Sequence, residues 1–213
     1  MGSLRNLGFL TIGLFDGADP GAGHETTLEV IELGERLGFD SAWVRHRHLQ
    51  FGISSPVAVL AAASQRTSRI HLGTAVIPLG WENPLRLAED LATVDVLSEG
   101  FEVFSDRVQP HSPGLGSRLW YGGGSLSSAR WAGENGMNFL TSSVVKAEQS
   151  EDFAEIQLSH IREFRAHHPD GDKARVSQGH VALPFAFEPA DYTQILTDIA
   201  AHLGPALGWQ PAQ

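Results

Sequence analysis

The sequence predicts an α/β fold built on parallel strands, because short apolar runs alternate along the chain with segments that have a helical period. Seven strand-like runs begin near residues 7, 41, 70, 119, 137, 175 and 181, and Phe101–Phe104 is a candidate eighth. A β/α barrel has eight strands and about 250 residues, whereas an open doubly wound sheet needs fewer strands. The pattern alone is therefore compatible with a trimmed (β/α)8 TIM barrel or with an open sheet.

Three strand-helix units fill the first part of the chain. Their strands are predicted from the apolar runs Leu7–Leu14, Ser41–Val44 and Ile70–Pro78. The helices that follow are predicted to begin at residues that cap or open helices, namely Thr26 or Thr27, Ser54 or Ser55 before Pro56, and Asn83 before Pro84. Three consecutive units of this kind favour a parallel sheet.

The alternation is interrupted twice in the second part of the chain. Between Gly100 and Arg118 there is no helical period. Later, the runs Arg175–Ser177 and Val181–Phe187 are too close for the crossover that joins neighbouring parallel strands, so they form one long strand or a crossover is missing. The remaining predicted elements are strands at Leu119–Tyr121 and Met137–Thr141 and helices at about Ser127–Asn135, Glu148–His167 and Tyr192–Leu203, the last ending at Gly204-Pro205.

Composition excludes several classes of protein. The chain has 213 residues and a net charge of −10, from 15 basic and 25 acidic side chains, so it should repel nucleic acid and anionic membranes. Without cysteine it has no disulfide, thiolate nucleophile or cysteine-ligated metal. It contains no apolar run long enough to span a membrane and no leader pattern at Met1–Arg5. We therefore expect one soluble, cytoplasmic domain over residues 1–213.

Three segments at predicted strand ends contain side chains suited to chemistry, because barrel enzymes place their sites there. Arg45–His48 alternates arginine and histidine, which suits anion binding or proton donation, although a solvated strand end is the plainer interpretation. Gly73–Pro78 has small residues that admit a flat ligand or simply pack. Gly122–Ser128 joins glycines to serines at a helix start, which is typical of both a phosphate site and a capped turn.

A metal site is not predicted. His46 and His48 lie two residues apart on one side of an extended chain and could form a ligand pair, but the sequence marks no third ligand. No paired carboxylates and no Ser-His-Asp spacing stand out, so hydrolysis is not indicated either.

These segments, in this order, resemble the bacterial luciferase-like flavin monooxygenases, a β/α-barrel family that uses reduced FMN or, in some members, the deazaflavin F420. The resemblance implies that the fold is the barrel rather than the open sheet. It extends over most of the chain, through the stretches ELGERLGFDSAWVRHRHLQFG, SPVAVLAAASQRTSRIHLGTAVIPL, NPLRLAEDLATVDVLSEG, LWYGGGSLSSARWAGENGMNFL and ALPFAFEPADYTQILTDIAAHLGPALGW.

The resemblance also implies roles for individual residues. His48 and Arg47 would be catalytic, stabilising negative charge on the flavin, and the peptide bond between Ala75 and Val76 would be cis beneath the flavin ring. The family usually has Glu-His-His at the end of the second strand, and Arg47 stands at the first of those histidines. The residues expected to bind FMN, through its ring or its phosphate, are Thr74, Ala75, Val76, Gly123, Gly124, Ser125, Ser127 and Ser128.

Two stretches of the family pattern are missing from the chain. One would follow Gly100 as the fourth strand, where the sequence passes directly to Phe101, and the other would be a crossover near Gly179–His180. Either the chain is a naturally trimmed relative, as the non-fluorescent flavoproteins of luminous bacteria are, or the numbering passes over two loops of a longer protein. In the second case the Cα atoms on either side would be separated by several times the usual 3.8 Å or so.

The resemblance implies an FMN-dependent monooxygenase or oxidoreductase whose partners are a small organic substrate and O2. A flavin reductase as electron source and a homodimer are compatible with it. Two alternatives remain open: an F420-dependent oxidoreductase, and a non-catalytic flavin-binding relative, which the missing fourth-strand segment and Arg47 favour. Oxygen consumption that depends on a substrate would separate the enzyme from the binder.

Overall fold

The computed structural model describes residues 4–98, 114–142, 148, 150–178, 181–183 and 187–212. Within these ranges the seven predicted strands are present, and every pairing between them is parallel, which confirms an α/β fold with parallel sheets. The candidate strand Phe101–Phe104 lies outside the described residues. The strands are β1 (Gly8–Thr11), β2 (Ser41–Val44), β3 (His71–Thr74), β4 (Trp120–Gly123), β5 (Asn138–Thr141), β6 (Val176–Gln178) and β7 (Val181–Leu183).

The strands form two sheets in two compact units. The first unit contains Met1–Ser112 and His180–Gln213 and has the strand order β3-β2-β1-β7; the second contains Pro113–Gly179 and has the order β4-β5-β6. Because β6 and β7 pair in different sheets, the alternative of one long strand is wrong. The two junctions at Gly100–Phe101 and Gly179–His180 lie outside the described residues, and a single domain over residues 1–213 stays a prediction.

Helices and short helical turns connect the strands within each unit. No helix in the described ranges is both long and apolar enough to cross a membrane. The α-helices are α1 (Pro20–Arg36), α2 (Pro56–Ser64), α3 (Pro84–Leu97), α4 (Leu115–Arg118), α5 (Leu126–Glu134), α6 (Phe153–His167), α7 (Pro189–Asp198) and α8 (Gly204–Ala206), with a π-helical segment at Ile199–Leu203 and single 3-10 turns at Leu79–Trp81 and Gly171–Lys173.

Two helix starts agree with their sequence signals, and one does not. Asn83 caps α3, with its Oδ1 accepting from the N–H groups of the next turn at 3.1 Å, and Ser55 occupies the N-cap position of α2. The helix expected to begin at Thr26 or Thr27 instead begins at Pro20, because the Asp19 carboxylate caps it by accepting from Ala22 N at 3.0 Å. Both threonines lie inside α1, where their hydroxyls donate to the carbonyl oxygens one turn earlier.

Two other helix boundaries differ from expectation. α6 begins at Phe153 rather than near residue 148, because Asp152 caps it and accepts from the N–H of Glu155. The last helix does not end at Gly204, whose backbone is helical with φ −55°. It continues to Ala206 and is followed by Gly208, whose φ of 85° is a conformation that favours glycine.

A half-buried aspartate joins the beginnings of three strands in the first unit. The Asp40 carboxylate accepts from Leu7 N at 2.8 Å, just before β1, and from the indole N–H of Trp209 at 2.7 Å. Its backbone carbonyl accepts from His71 N at 3.0 Å, at the start of β3. Trp209 itself is buried against the ring of Phe39, so the end of the chain packs into the same core.

A second carboxylate ties α1 to the turn that precedes β3. Glu35 accepts from the backbone N–H groups of Ser68, Arg69 and Ile70, the last two at 2.7 and 2.8 Å. Partial burial disfavours the charged form of Glu35, but these three N–H donors and the Arg69 charge outweigh it and lower the pKa of the carboxyl. The lowered pKa means that the ionised form of Glu35 stabilises the folded state.

We expect Glu35→Gln to destabilise the protein by about 1 to 2 kcal/mol at neutral pH, because an amide replaces an ionised acceptor at a half-buried site. The folded-state pKa is below that of the unfolded chain, about 4.3, so the advantage of the native carboxylate is complete above that value. It is lost as the pH falls through the folded-state pKa. Urea unfolding of both proteins over a range of pH measures the gap, and Glu29→Gln, an exposed change on the same helix, is the control. An equal gap at low and neutral pH would contradict the assignment.

Candidate active site

The carboxyl ends of the first three strands lie at one edge of the first sheet. The register aligns Thr11 with Val44 and Val44 with Thr74, so the segments that leave these strands are neighbours. The segments after β1 and β2 meet directly: Phe15 N donates to Phe51 O at 3.3 Å, and the two rings pack edge to face. This edge therefore gathers the side chains that follow the strands.

The segment after β2 forms a tight loop around Arg47. Arg47 N donates to Ile53 O at 2.7 Å, and Leu49 adopts a φ of 52°, which is rare for a leucine. The guanidinium of Arg47 donates from Nη1 to Gln50 Oε1 at 2.9 Å, within the same loop. Leu49 and Phe51 remain 96% and 66% exposed, so the tip of this loop presents apolar surface to solvent.

Two histidines, a tryptophan and a glutamate form a cluster between the segments after β2 and β3. The rings of His46 and His48 lie 4.1 Å apart, and the His48 ring stacks on the indole of Trp81 at 4.8 Å, with 20° between the planes. Glu82 Oε1 lies 3.7 Å from His46 Nδ1. We call these four residues the histidine cluster.

Sequence reasoning missed two members of the histidine cluster. Trp81 and Glu82 follow β3 by several residues, in a 3-10 turn and at its end, so no short spacing links them to the histidines. The available signal was their position, since both stand after a strand end and before the Asn83 cap. The sequence marks no third ligand beside His46 and His48, and Glu82 supplies one: the three side chains offer ligand atoms that all lie within 4.8 Å of one another.

The peptide bond between Ala75 and Val76 is cis, as the resemblance implies. Ala75 is buried, and its N–H donates to Val44 O at 2.9 Å, whereas Val76 is 48% exposed. Thr74 ends β3 and is half-buried. Flavin binding by these three residues stays a prediction.

The loop between β4 and α5 builds the start of a helix from serines. Ser125 is the N-cap of α5, and its Oγ accepts from Ser128 N at 3.2 Å. The hydroxyls of Ser127 and Ser128 lie 3.0 and 2.8 Å from the same Oγ. A Cβ on Gly123 would lie 2.5 Å from the Cβ of Ser128, so glycine is needed for the helix to start this close to the strand. We call Gly122–Ser128 the serine loop.

A carboxylate binds at the serine loop. Leu126 N, in the first turn of α5, donates to Glu148 Oε2 at 2.7 Å. The same oxygen lies 3.8 Å from the Nε2 of His160, a buried imidazole. Burial lowers the pKa of His160, and the Glu148 charge opposes that shift in part. An anionic oxygen is therefore held within the loop to which the resemblance assigns the phosphate.

The first part of the chain is similar to known proteins. Residues 7–100 match the family model described as luciferase-like monooxygenase. Limonene 1,2-monooxygenase from Rhodococcus erythropolis is 40% identical over 80 residues, which are 36% of this chain and 20% of that protein. The alkanal monooxygenase alpha chain of Photobacterium phosphoreum is 32% identical over 92 residues, 41% of this chain and 26% of that protein. The matched part thus spans about a fifth to a quarter of these curated relatives.

Solved structures resemble the fold over more of the chain. A monooxygenase, RslO1, from Streptomyces bottropensis superposes with a TM-score of 0.62 at 17% identity, covering 81% of this chain and 70% of that one. An F420-dependent secondary alcohol dehydrogenase, in complex with an F420-acetone adduct, superposes with a TM-score of 0.52 at 15% identity, covering 84% and 68%. At these identities the likeness concerns the fold.

We expect Ser125→Ala to destabilise α5 by about 1 kcal/mol, because it removes the acceptor for the N–H of Ser128 at the helix start. Urea unfolding followed by circular dichroism measures the loss. Ser127→Ala is the matched control, since the Oγ of Ser127 is not the cap, and its effect should stay within about 0.5 kcal/mol. Equal losses in the two variants would mean that the cap is not what holds this helix start.

Proposed function

We propose that this chain, whose residues 7–100 match the family model of the luciferase-like monooxygenases, belongs to that family and is a flavoprotein oxidoreductase that uses reduced FMN and O2 on a small organic substrate. The observation that carries the cofactor assignment is the serine loop, where a helix start holds an anionic oxygen. The same proposal includes a trimmed or incomplete (β/α)8 barrel as the fold, with one domain over residues 1–213. The relatives are matched over a small part of their length, so their activities are not transferred unchanged.

The serine loop has the chemistry that a phosphomonoester needs. The hydroxyl oxygens of Ser127 and Ser128 lie 3.0 and 2.8 Å from the Oγ of Ser125. Each of the three hydroxyls can donate one hydrogen bond. The N-terminus of α5 adds backbone N–H donors and a partial positive charge. Because Leu126 N already donates a hydrogen bond to the Glu148 carboxylate, an anion fits this position. A phosphate would replace that carboxylate.

Each set of residues has a task that its own atoms can perform. FMN, when bound, would supply the electrons for the reaction with oxygen. The serine hydroxyls would hold its phosphate, and Thr74, Ala75 and Val76 would support its ring. Arg47 brings a positive charge to the segment after β2, and His48 offers an imidazole, a group that can donate or accept a proton. Together they would stabilise negative charge that develops on the ring.

Two other functions are favoured by specific observations. A flavin-binding protein without catalysis is favoured by Arg47, which stands where the family usually has a histidine. An F420-dependent oxidoreductase is favoured by the similarity of the fold to a dehydrogenase solved with an F420 adduct. Both alternatives bind a flavin-type cofactor with a phosphate group, so binding alone does not separate them from the oxygenase.

We expect Ser128→Ala to weaken FMN binding by about 1 to 3 kcal/mol, because a hydrogen bond to a charged phosphate is lost without removal of the helix cap. Glu148→Ala should strengthen binding about two- to fivefold, the size of a charge effect at a helix N-terminus, since it removes the competing anion. Flavin fluorescence titrations measure both. Glu151→Ala, which removes an exposed carboxylate three residues further along the chain, should leave the affinity unchanged. Unaltered affinity in Ser128→Ala together with weaker binding in Glu148→Ala would overturn the phosphate assignment.

Catalysis is tested by oxygen uptake with reduced FMN and a panel of aldehydes and monoterpenes, the classes named by the two relatives. We expect one class to stimulate uptake and His48→Ala to lower the stimulated rate about 100-fold, a typical loss for a proton-transfer residue. Arg45→Ala, an exposed change in the same segment, is the control. FMN binding without stimulation by any substrate would favour the non-catalytic binder, and reduction of F420 but not FMN would favour the dehydrogenase.

A further inference from the structure

We propose that His46, His48 and Glu82 form a binding site for one divalent transition-metal ion, of the class to which Zn²⁺ and Co²⁺ belong. The three residues offer one ligand atom each, and these atoms lie within 4.8 Å of one another. This inference concerns the first unit alone and does not depend on flavin binding.

Burial of the histidines points to a ligand. The side chain of His46 is 2% exposed, and neither of its ring nitrogens has a hydrogen-bond partner among the described residues. The Nε2 of His48 is likewise buried and unpartnered in the described part of the chain. A separation of 3.7 Å between His46 Nδ1 and Glu82 Oε1 is too long for a hydrogen bond. Buried polar groups normally have partners, and a metal ion would serve as the shared one.

The geometry requires only modest movement to bind an ion. Ligands at about 2.0 to 2.2 Å from a tetrahedral ion stand roughly 3.3 to 3.6 Å from each other. The pair formed by His46 and Glu82, at 3.7 Å, is close to that separation, and the widest pair is no more than 4.8 Å apart. Rotation of the Glu82 side chain, which is 27% exposed, can close the remaining gap and also leaves a route for the ion to enter.

The donor set selects the class of ion. Two imidazoles and one carboxylate suit borderline ions such as Zn²⁺, Co²⁺ and Ni²⁺, whereas Ca²⁺ and Mg²⁺ prefer sites made of oxygen. Three protein ligands leave a fourth position free for water or a small anion. Trp81, stacked on the His48 ring, would hold this imidazole ligand in orientation. The site is therefore of the open kind, able to bind a second small molecule through the metal.

The test uses purified, tag-free protein treated with a chelator and then titrated with Co²⁺ in the absence of flavin. We expect one equivalent to bind with the visible absorption bands of a four-coordinate ion, and Zn²⁺ to displace it while Ca²⁺ and Mg²⁺ do not. His48→Ala and Glu82→Gln should each weaken binding at least tenfold, which corresponds to about 1.4 kcal/mol. His71→Ala removes an exposed imidazole from β3 of the same sheet and should bind as the wild type does.

The outcomes separate the proposal from its alternatives. His46→Ala empties a buried position, and if that variant does not fold, Glu82→Gln, at a partly exposed side chain, decides the matter. Wild-type affinity in both His48→Ala and Glu82→Gln would overturn the site, and so would the absence of Co²⁺ binding or an equal loss in His71→Ala. Flavin binding in the same preparations is measured separately, so failure of the metal site and failure of the flavin assignment are distinguishable.

Discussion

The shared register of β1, β2 and β3 is the constraint on which the histidine cluster depends. Asp40 sets it at the amino ends, because one carboxylate and one carbonyl of the same residue bind the chain before β1 and at the start of β3. Glu35 adds a second attachment by holding three N–H groups of the turn before β3. With the beginnings of the strands aligned, their carboxyl ends also align, and the segments that contain His48 and Glu82 must leave the sheet side by side.

That arrangement leaves polar atoms inside the structure. Neighbouring parallel strands have their carboxyl ends at the same edge of the sheet. Here the segments that leave β2 and β3 bring two imidazoles and a carboxylate together at that edge. The indole of Trp81 covers one face of His48, which shields the ring from water without giving its Nε2 a partner. A fold that buries such atoms loses stability unless something binds them, and this is a physical reason to regard the cluster as a site.

The sequence predicted best those elements whose position depends only on residues that are neighbours along the chain. Apolar runs located all seven described strands, and the Asn83 cap placed the start of α3, because both depend on neighbouring residues. The start of α1 was missed because Asp19, Thr26 and Thr27 are all capable of capping a helix. Asp19, the earliest of them, is the N-cap, and the helix begins at Pro20. Glu82 was missed for a different reason: its distance to His46 is set by the pairing of β2 with β3, which no spacing along the chain encodes.

The two candidate sites differ in whether the protein already provides partners for the groups that would bind a ligand. In the histidine cluster, ring nitrogens lack partners within the described residues, so a bound ion adds interactions that the protein alone does not make. In the serine loop, Ser125 is occupied as the cap and Leu126 N by the Glu148 carboxylate, so the helix start is satisfied by the protein itself. A phosphate there has to exchange one anion for another, and its net gain is only the difference between the two. Charge on Glu148 would therefore set how tightly the serine loop binds a phosphate, whereas the histidine cluster has no such internal competitor among the described residues.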